Sequence, residues 1–283
     1  MIVTADDFGL AREVNEAVET AHRNGVVTAA SLMVGASAAA DAVARARQLP
    51  LLGVGLHIVL IDGRPVLPAS DLPALVDGSG RFRNDMAAAS IRIFFDALAR
   101  QQLTREITAQ FEAFAATGLR LDHVDCHKHW HLHPTIGRLI LEIGRRFGMK
   151  ALRVPSEPVA VLRLVEKQAS SMQSLVTALC AARLRALVRK YRLKSPDRVF
   201  GLAWSGAMTE PRIAGLLAHL PDGLTEIYTH PATSNTFAGA VPGYRYVDEF
   251  NALLASEIVA AAKGGRIRLK AYSDICGDNP LAG

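Results

Sequence analysis

Five of the chain's nine histidines, His123, His127, His129, His131 and His133, crowd into HVDCHKHWHLHP at residues 123–134. Imidazole is a common metal ligand and exchanges a proton near neutral pH, so the cluster points to metal binding, acid–base work or both. Not all five can serve one ion. A mononuclear catalytic site uses about three protein ligands and keeps a position for water, which leaves the others to orient ligands, shuttle protons or meet substrate. If LDHVDC continues a strand, the period of two puts His123, Asp125 and His127 on one face. Val124 and Cys126 then face the other layer, where the Cys126 thiol reads as packing.

Three other stretches carry comparable groups. Asp6 and Asp7 follow the apolar IVTA, where one acid suffices to cap a helix and two exceed that need. His57 lies in GVGLHIVL and His230 in EIYTHPA. Singly these are weak signals. Jointly, an acid pair, a histidine and a histidine cluster, each ending a different strand, make a metal-hydrolase arrangement. Two neutral imidazoles and one carboxylate on a divalent ion lower the pKa of bound water and polarise a carbonyl. A second carboxylate takes the water's proton and an opposite histidine protonates the departing group.

The elements that must position these groups alternate. Strand-like pieces fall at 2–5, 28–34, 53–60, 121–126, 151–154, 199–204, 224–230 and 267–272. Helix-like pieces lie between them. Residues 10–24 put Val14, Ala17, Val18 and Ala21 on one face before Gly25, and 134–147 begin with Pro134. Thr209 with Pro211 opens another helix, and 247–263 end at Gly264-Gly265. The alternation predicts an α/β fold with a mainly parallel sheet, closed or distorted into a (β/α) barrel, as one catalytic domain over 1–283. No dinucleotide-type glycine fingerprint follows the first strand, which disfavours the open doubly wound alternative.

Two stretches interrupt the pattern. Residues 61–85, rich in Pro, Gly and Asp, read as a long loop that is functional or mobile. Residues 156–198 read as a helical insertion. Its second half, the basic amphipathic helix 175–194, has an ordinary solvated reading and a second reading as a contact to an anionic membrane surface.

Composition bounds the rest. With 50% hydrophobic and 21% charged residues the chain is globular. The net charge of +5 admits an anionic partner, yet no nucleic-acid signature is present and aromatics are only 6%, too few for stacking single strands. Three scattered cysteines without CxxC spacing imply neither a disulfide framework nor a zinc knuckle. With no signal-peptide pattern after Met1 and no apolar run of about 18 residues, the sequence reads as cytoplasmic, with peripheral contact at the inner membrane surface left open. Barrel surfaces dimerise without a linear signature, so a homodimer stays an open option.

ADDFG (5–9), GLHIVL with its following glycine (55–63), HVDCHKHWHLHP (123–134), LRVPSE (152–157) and EIYTHPA (226–232) resemble, in order and spacing, the YdjC-like carbohydrate deacetylases. The similarity runs from Ile2 to about Asp274 and is nearest to the hopanoid-biosynthesis-associated branch. The resemblance implies a distorted, TIM-like (β/α) barrel of the NodB/YdjC type that removes the acetyl group of an N-acetylated sugar. Carried over by motif, Asp7, His57 and His127 would hold one divalent ion, magnesium or zinc, and two imidazoles favour zinc. Asp6 would be the general base and His230 the acid or a substrate ligand. His123 and Asp125 would stand behind the ligands, His129 and His131 would line the sugar pocket, and Arg153 and Glu157 are expected at the substrate. For the branch resembled the substrate would be an N-acetylglucosaminyl hopanoid. A soluble chito-oligosaccharide is the alternative, and a non-catalytic sugar- or lipid-binding barrel a further one. His123-x-Asp125 with a distant histidine also imitates the facial triad of iron oxygenases, but their β-sandwich-like scaffold does not match the alternation.

Overall fold

Six short runs of β-branched and small apolar residues form the sheet: β1 Ile2–Phe8, β2 Ala29–Leu32, β3 Gly53–Ile58, β4 Val124–Cys126, β5 Arg198–Phe200 and β6 Thr225–Thr229. All neighbours are parallel and the order is β4-β3-β2-β1-β6-β5, so the carboxyl ends share one rim. The computed structural model describes residues 1–169 and 175–277, and in it the sheet curls into a half-barrel with helices outside.

The helices are α1 Arg12–Asn24, α2 Ala39–Ala46, α3 Met86–Phe95, α4 Ala97–Ala116, α5 Pro134–Gly144, α6 Val159–Val165, α7 Leu175–Lys190, α8 Glu210–Ala218, α9 Tyr246–Leu254, α10 Ser256–Lys263 and α11 Tyr272–Ile275. Val14, Ala17, Val18 and Ala21 of α1 are buried, as the periodicity predicts. The run expected over 247–263 breaks at Ala255, whose ψ of 131° is extended, into α9 and α10. Helices α2, α3 and α4 were not singled out by pattern. In α4 the reason is visible: its buried face includes Gln102, Glu106 and Gln110, which hide the apolar stripe.

Two of the eight expected strands do not form. Segment 151–154 makes single bridges, Leu152 to Val124 and Ala151 to Lys194, and Pro155 then removes a backbone donor. It spans the opening between β4 and β5 instead of joining the ladder. Segment 267–272 is tied to the start of β1 by Lys270 N donating to Met1 O (2.9 Å), and the chain then turns into α11.

The long 61–85 segment is pinned rather than loose. Glu106 accepts from Val66 and Leu67 N–H, Gln102 accepts from Ala74 N–H, and Leu72, Val76 and Phe82 are buried. The insertion supplies α6 and α7, with residues 170–174 outside the described residues. On α7, Ala181, Leu184 and Val188 are buried, while Val176, Leu179, Arg183, Arg189 and Lys190 are exposed. Among the described residues, no helix is long and apolar enough to cross a membrane.

Candidate metal and catalytic site

Neighbouring residues of a regular strand point to opposite faces, so Asp6 and Asp7 could not both reach one site from an ideal β1. The strand solves this with a bulge. Its register against β2 shifts between Ala5 and Phe8, and Asp7 has φ 61°. Aspartate is among the few residues that tolerate the left-handed region. Asn15 fixes the following turn: its side chain accepts from Gly9 N–H (2.7 Å) and donates to Ala38 O (3.0 Å) and Asp41 Oδ2 (2.9 Å). Neither acid caps α1, whose N-cap position is Ala11 without a side-chain cap.

The structure brings Asp7, His57 and His127 together. Asp7 Oδ1 lies 3.4 Å from His57 Nε2 and 3.2 Å from His127 Nδ1, and the two nitrogens are 3.4 Å apart. One ligand atom from each of the three lies within 4.8 Å of the others. Asp7 Oδ1 is buried and makes no hydrogen bond. His57 Nδ1 donates to Asp125 Oδ1 at 2.9 Å, which leaves Nε2 as the ring nitrogen that faces Asp7. An orphaned carboxylate oxygen facing imidazole nitrogens, with two N donors and one O donor, fits a divalent transition metal.

Asp125 does more than orient His57. β3 and β4 pair in register with His57 opposite Asp125, so the contact is built into the ladder. Burial lowers the basicity of His57, but the Asp125 carboxylate overrides it and pushes the imidazole up to about 10. A more basic imidazole is a stronger electron-pair donor to a metal. Burial likewise opposes charge on Asp7, yet the imidazoles of His127 and His57 hold its carboxyl well below the usual range.

Asp6 points to a different partner. Arg153, with no solvent exposure, donates from Nη1 to Asp6 Oδ2 (2.7 Å) and from Nη2 to Asp6 Oδ1 (2.9 Å). The same guanidinium donates to Asp125 Oδ2 and, from Nη2, to Glu226 Oε1 (2.8 Å). Arg153, expected at the substrate, is therefore a brace between carboxylates. Glu157 also turns inward, accepting from the backbone N–H groups of Gly201, Leu202 and Ala203. Asp6, His57 and Asp125 form a second group of potential ligands, but the guanidinium bonded to both acids already fills the cation position between them.

The other histidines separate by task. His123 donates from Nδ1 to Asp122 (2.9 Å), its Nε2 lies 3.0 Å from Ser31 Oγ, and its ring stacks on Tyr272 at 4.4 Å; these contacts fix the base of β4 rather than the rim. Cys126 is buried in the apolar core. Lys128 and His129 have φ 54° and 53°, so the turn after β4 reverses at once. His129 Nε2 lies 2.9 Å from Tyr228 OH, and His131 Nε2 donates to Arg153 O at 2.8 Å. The Nδ1 atoms of both rings are buried and unpartnered. Burial keeps both rings neutral, His131 down at about 4. His133 caps α5 by accepting from Thr135 N–H at 3.3 Å.

His230 ends β6, with its backbone N–H donating to the buried Glu249 and its Nδ1 unpartnered. β6 pairs directly with β1, Ala5 opposite Thr229, so His230 follows its strand on the same rim as Asp6 and Asp7, near enough for its imidazole to help hold the Asp7 carboxyl down. Sequence reasoning missed Glu226, Tyr228 and Glu249. For the first two a signal was available: 226, 228 and 230 alternate along β6 and must share the face that carries His230. Glu249 sits in α9 with no local pattern to mark it.

The family model described as YdjC-like protein matches residues 1–263. A carbohydrate deacetylase of Geobacillus stearothermophilus is 31% identical over 277 residues, spanning 96% of each chain. A carbohydrate deacetylase of Brevibacillus brevis is 42% identical over 149 residues, 52% of this chain and 56% of that one, so that alignment covers about half of each. Among solved structures, an Enterococcus faecalis protein described as a cellobiose-phosphate cleavage protein aligns over 97% of both chains, with TM-score 0.76 and 26% identity.

Two outcomes follow from this geometry. Asp125→Asn keeps the shape but loses the charge behind His57, and should weaken binding of a divalent ion at Asp7, His57 and His127 by roughly 10- to 100-fold in a competitive chelator titration with zinc as the probe. The second concerns acid. The unfolded chain's imidazole takes a proton near 6.5, whereas burial holds that of His131 at about 4. The folded state thus refuses a proton that the unfolded state accepts, and stability is lost as pH falls from about 6.5 toward 4. Between pH 7 and 5 this one group costs about 2 kcal/mol, so urea unfolding of His131→Gln should show a shallower pH slope than the parent by that amount.

Proposed function

The chain belongs to the YdjC-like family, and from that premise we propose that it is a metal-dependent hydrolase that removes the acetyl group from an N-acetylated amino sugar. The observation that carries the reading is the buried Asp7 Oδ1, unpaired and facing His57 Nε2 and His127 Nδ1. The carbohydrate deacetylases among the relatives support the substrate class.

Asp7, His57 and His127 would hold the ion, and the two nitrogen donors favour zinc over magnesium. A bound divalent ion supplies Lewis acidity, lowering the pKa of water and polarising the amide carbonyl. The chain's own groups do the rest. Asp6 takes the proton of the attacking water; Arg153 holds that carboxylate by two charge-assisted hydrogen bonds, leaving its other lone pairs free to accept. His230, at the end of the neighbouring strand β6, delivers a proton to the departing amine nitrogen. Acetate and a free amino sugar are the products. Neutral His129, part-exposed, adds a polar contact beside the substrate without adding charge, whereas His131, expected to line the sugar pocket, is fully buried and instead holds the Arg153 carbonyl.

The finer reading is an amphiphilic substrate, an N-acetylglucosaminyl hopanoid in the branch resembled, met by a cytoplasmic enzyme at an anionic membrane surface. Residues 167–196 contain seven Lys or Arg and no Asp or Glu. Val176 and Leu179 of α7 are 68% and 63% exposed on the helix that also exposes Arg183, Arg189 and Lys190, apolar side chains beside basic charge.

Acetate release tests the reading on two substrates, N,N'-diacetylchitobiose in solution and an N-acetylglucosaminyl lipid in anionic vesicles. The zinc-loaded parent should release acetate, with the vesicle substrate preferred. Asp6→Asn should retain one zinc per chain and lose about 10²- to 10⁴-fold in turnover. His127→Ala should lose zinc and turnover together, and a zinc-free, fully active His127→Ala protein would sink the assignment.

A further inference from the structure

Tyr244 lies in the segment between β6 and α9, apart from the ligand and proton-transfer groups. Its ring is seated on Gly206. A Cβ built there would stand 2.2 Å from the ring carbons, and Gly206 has φ 75°, so both space and backbone require glycine. Arg245 N–H donates to Gly206 O at 2.7 Å and closes the two segments on each other.

The ring is held from other directions as well. Tyr244 OH pairs with Ser205 Oγ at 3.0 Å. The Tyr246 ring, itself buried and packed on Phe237 at 4.9 Å, supports it from 5.5 Å. The His230 imidazole meets it edge-on at 5.3 Å and 61°. Yet Tyr244 remains partly open to solvent, while Tyr246 is only 1% exposed. A fixed aromatic ring with free surface, adjoining His230 at the rim where β6 pairs with the strand that carries Asp6 and Asp7, has no packing task left for that surface.

We propose that Tyr244 is the stacking platform for the pyranose ring of the substrate, setting the acetamido group toward Asp7, His57 and His127 past His230. This rests on the deacetylase reading and adds the residue that selects a sugar. A pyranose presents an apolar C–H face as well as hydroxyls. The negative face of an aromatic ring attracts those C–H groups, and the hydroxyls stay free for polar contacts. Because Gly206, Ser205 and Tyr246 immobilise the ring beforehand, little side-chain entropy is lost on binding. The phenol OH serves the tether to Ser205, and the ring itself makes the contact.

Saturation-transfer NMR and titration with N,N'-diacetylchitobiose test this in the zinc-loaded, non-turning-over Asp6→Asn protein. Transfer should be strongest to the C–H protons of one sugar face. Adding Tyr244→Leu should weaken binding by about tenfold, the value of a lost aromatic contact of about 1.4 kcal/mol. Tyr244→Phe should stay within about threefold and serves as the folded control, with urea midpoints compared for all three. In the catalytically intact background, Tyr244→Leu should raise KM by a similar factor and change kcat less. Unchanged affinity in Tyr244→Leu, alongside normal acetate release by the parent, overturns the platform and leaves the deacetylase reading standing. Failure of the Tyr244-containing protein to bind chitobiose also overturns the platform. Acetate release by the parent from the vesicle substrate then shows separately whether the deacetylase reading falls with it.

Discussion

Asp6 comes from β1, Asp125 from β4 and Glu226 from β6, and all three end on the buried guanidinium of Arg153. Like charges about 4 Å apart repel by about 4 kcal/mol per pair even at an effective dielectric of 20, so three such acids could not share a dry interior unaided. Arg153 resolves this with several donors in one plane, and the Tyr228 ring lies 4.9 Å from its Cζ, adding a cation–π contact. A lysine could not replace it, since a single ammonium cannot hold Asp6 with two parallel bonds and also reach two further carboxylates. Thr4 and Tyr272 hydroxyls satisfy Glu226 further, each at 2.6 Å, so this acid of the network is fully held.

That constraint explains why the barrel is distorted. Arg153 must enter from the side where β4 and β5 are not neighbours, and segment 151–154 occupies that opening with one bridge on each flank. A full strand there would alternate Leu152 and Val154 against Arg153 in the same way, but Pro155 and the inward turn of Glu157 end the ladder. The interior is thus layered. Below, a covalently attached cation balances three acids. Beside it, Asp7 presents one carboxylate oxygen to the nitrogens of His57 and His127, a donor set that suits a divalent ion. Asp125 joins the layers, bonding Arg153 with one oxygen and His57 with the other.

How far the sequence discloses this depends on the kind of order involved. Strand positions were legible because parallel strands buried on both faces read as apolar runs, and six of eight such runs pair as expected. The meeting of Asp7, His57 and His127 was legible through the family motifs and through a simpler rule, that polar groups ending parallel strands gather at one rim. The φ 61° bulge at Asp7 was not, since a period-two reading sends one of two adjacent acids to the wrong face. Arg153 was singled out but given the wrong surroundings: an arginine in a short motif looks like a rim group, and only the spatial convergence of Asp6, Asp125 and Glu226 makes complete burial affordable. Glu226 and Tyr228 were overlooked beside His230, although the alternation that exposes one exposes all three.

The histidine cluster shows why residue type alone underdetermines role. His127 faces Asp7, His123 is locked between Asp122 and Ser31, His133 caps a helix, and desolvation keeps the part-exposed His129 and the fully buried His131 neutral. A neutral imidazole both donates and accepts hydrogen bonds through its own ring atoms. In an interior already carrying Asp6, Asp7, Asp125, Glu226 and Arg153, any further polar contact made by a charged side chain would shift the balance that Arg153 sets. Histidine kept neutral by burial supplies donors and acceptors without disturbing it. The density of imidazole in 123–134 therefore follows from the crowding of fixed charge beside it, and not from a need to bind several ions.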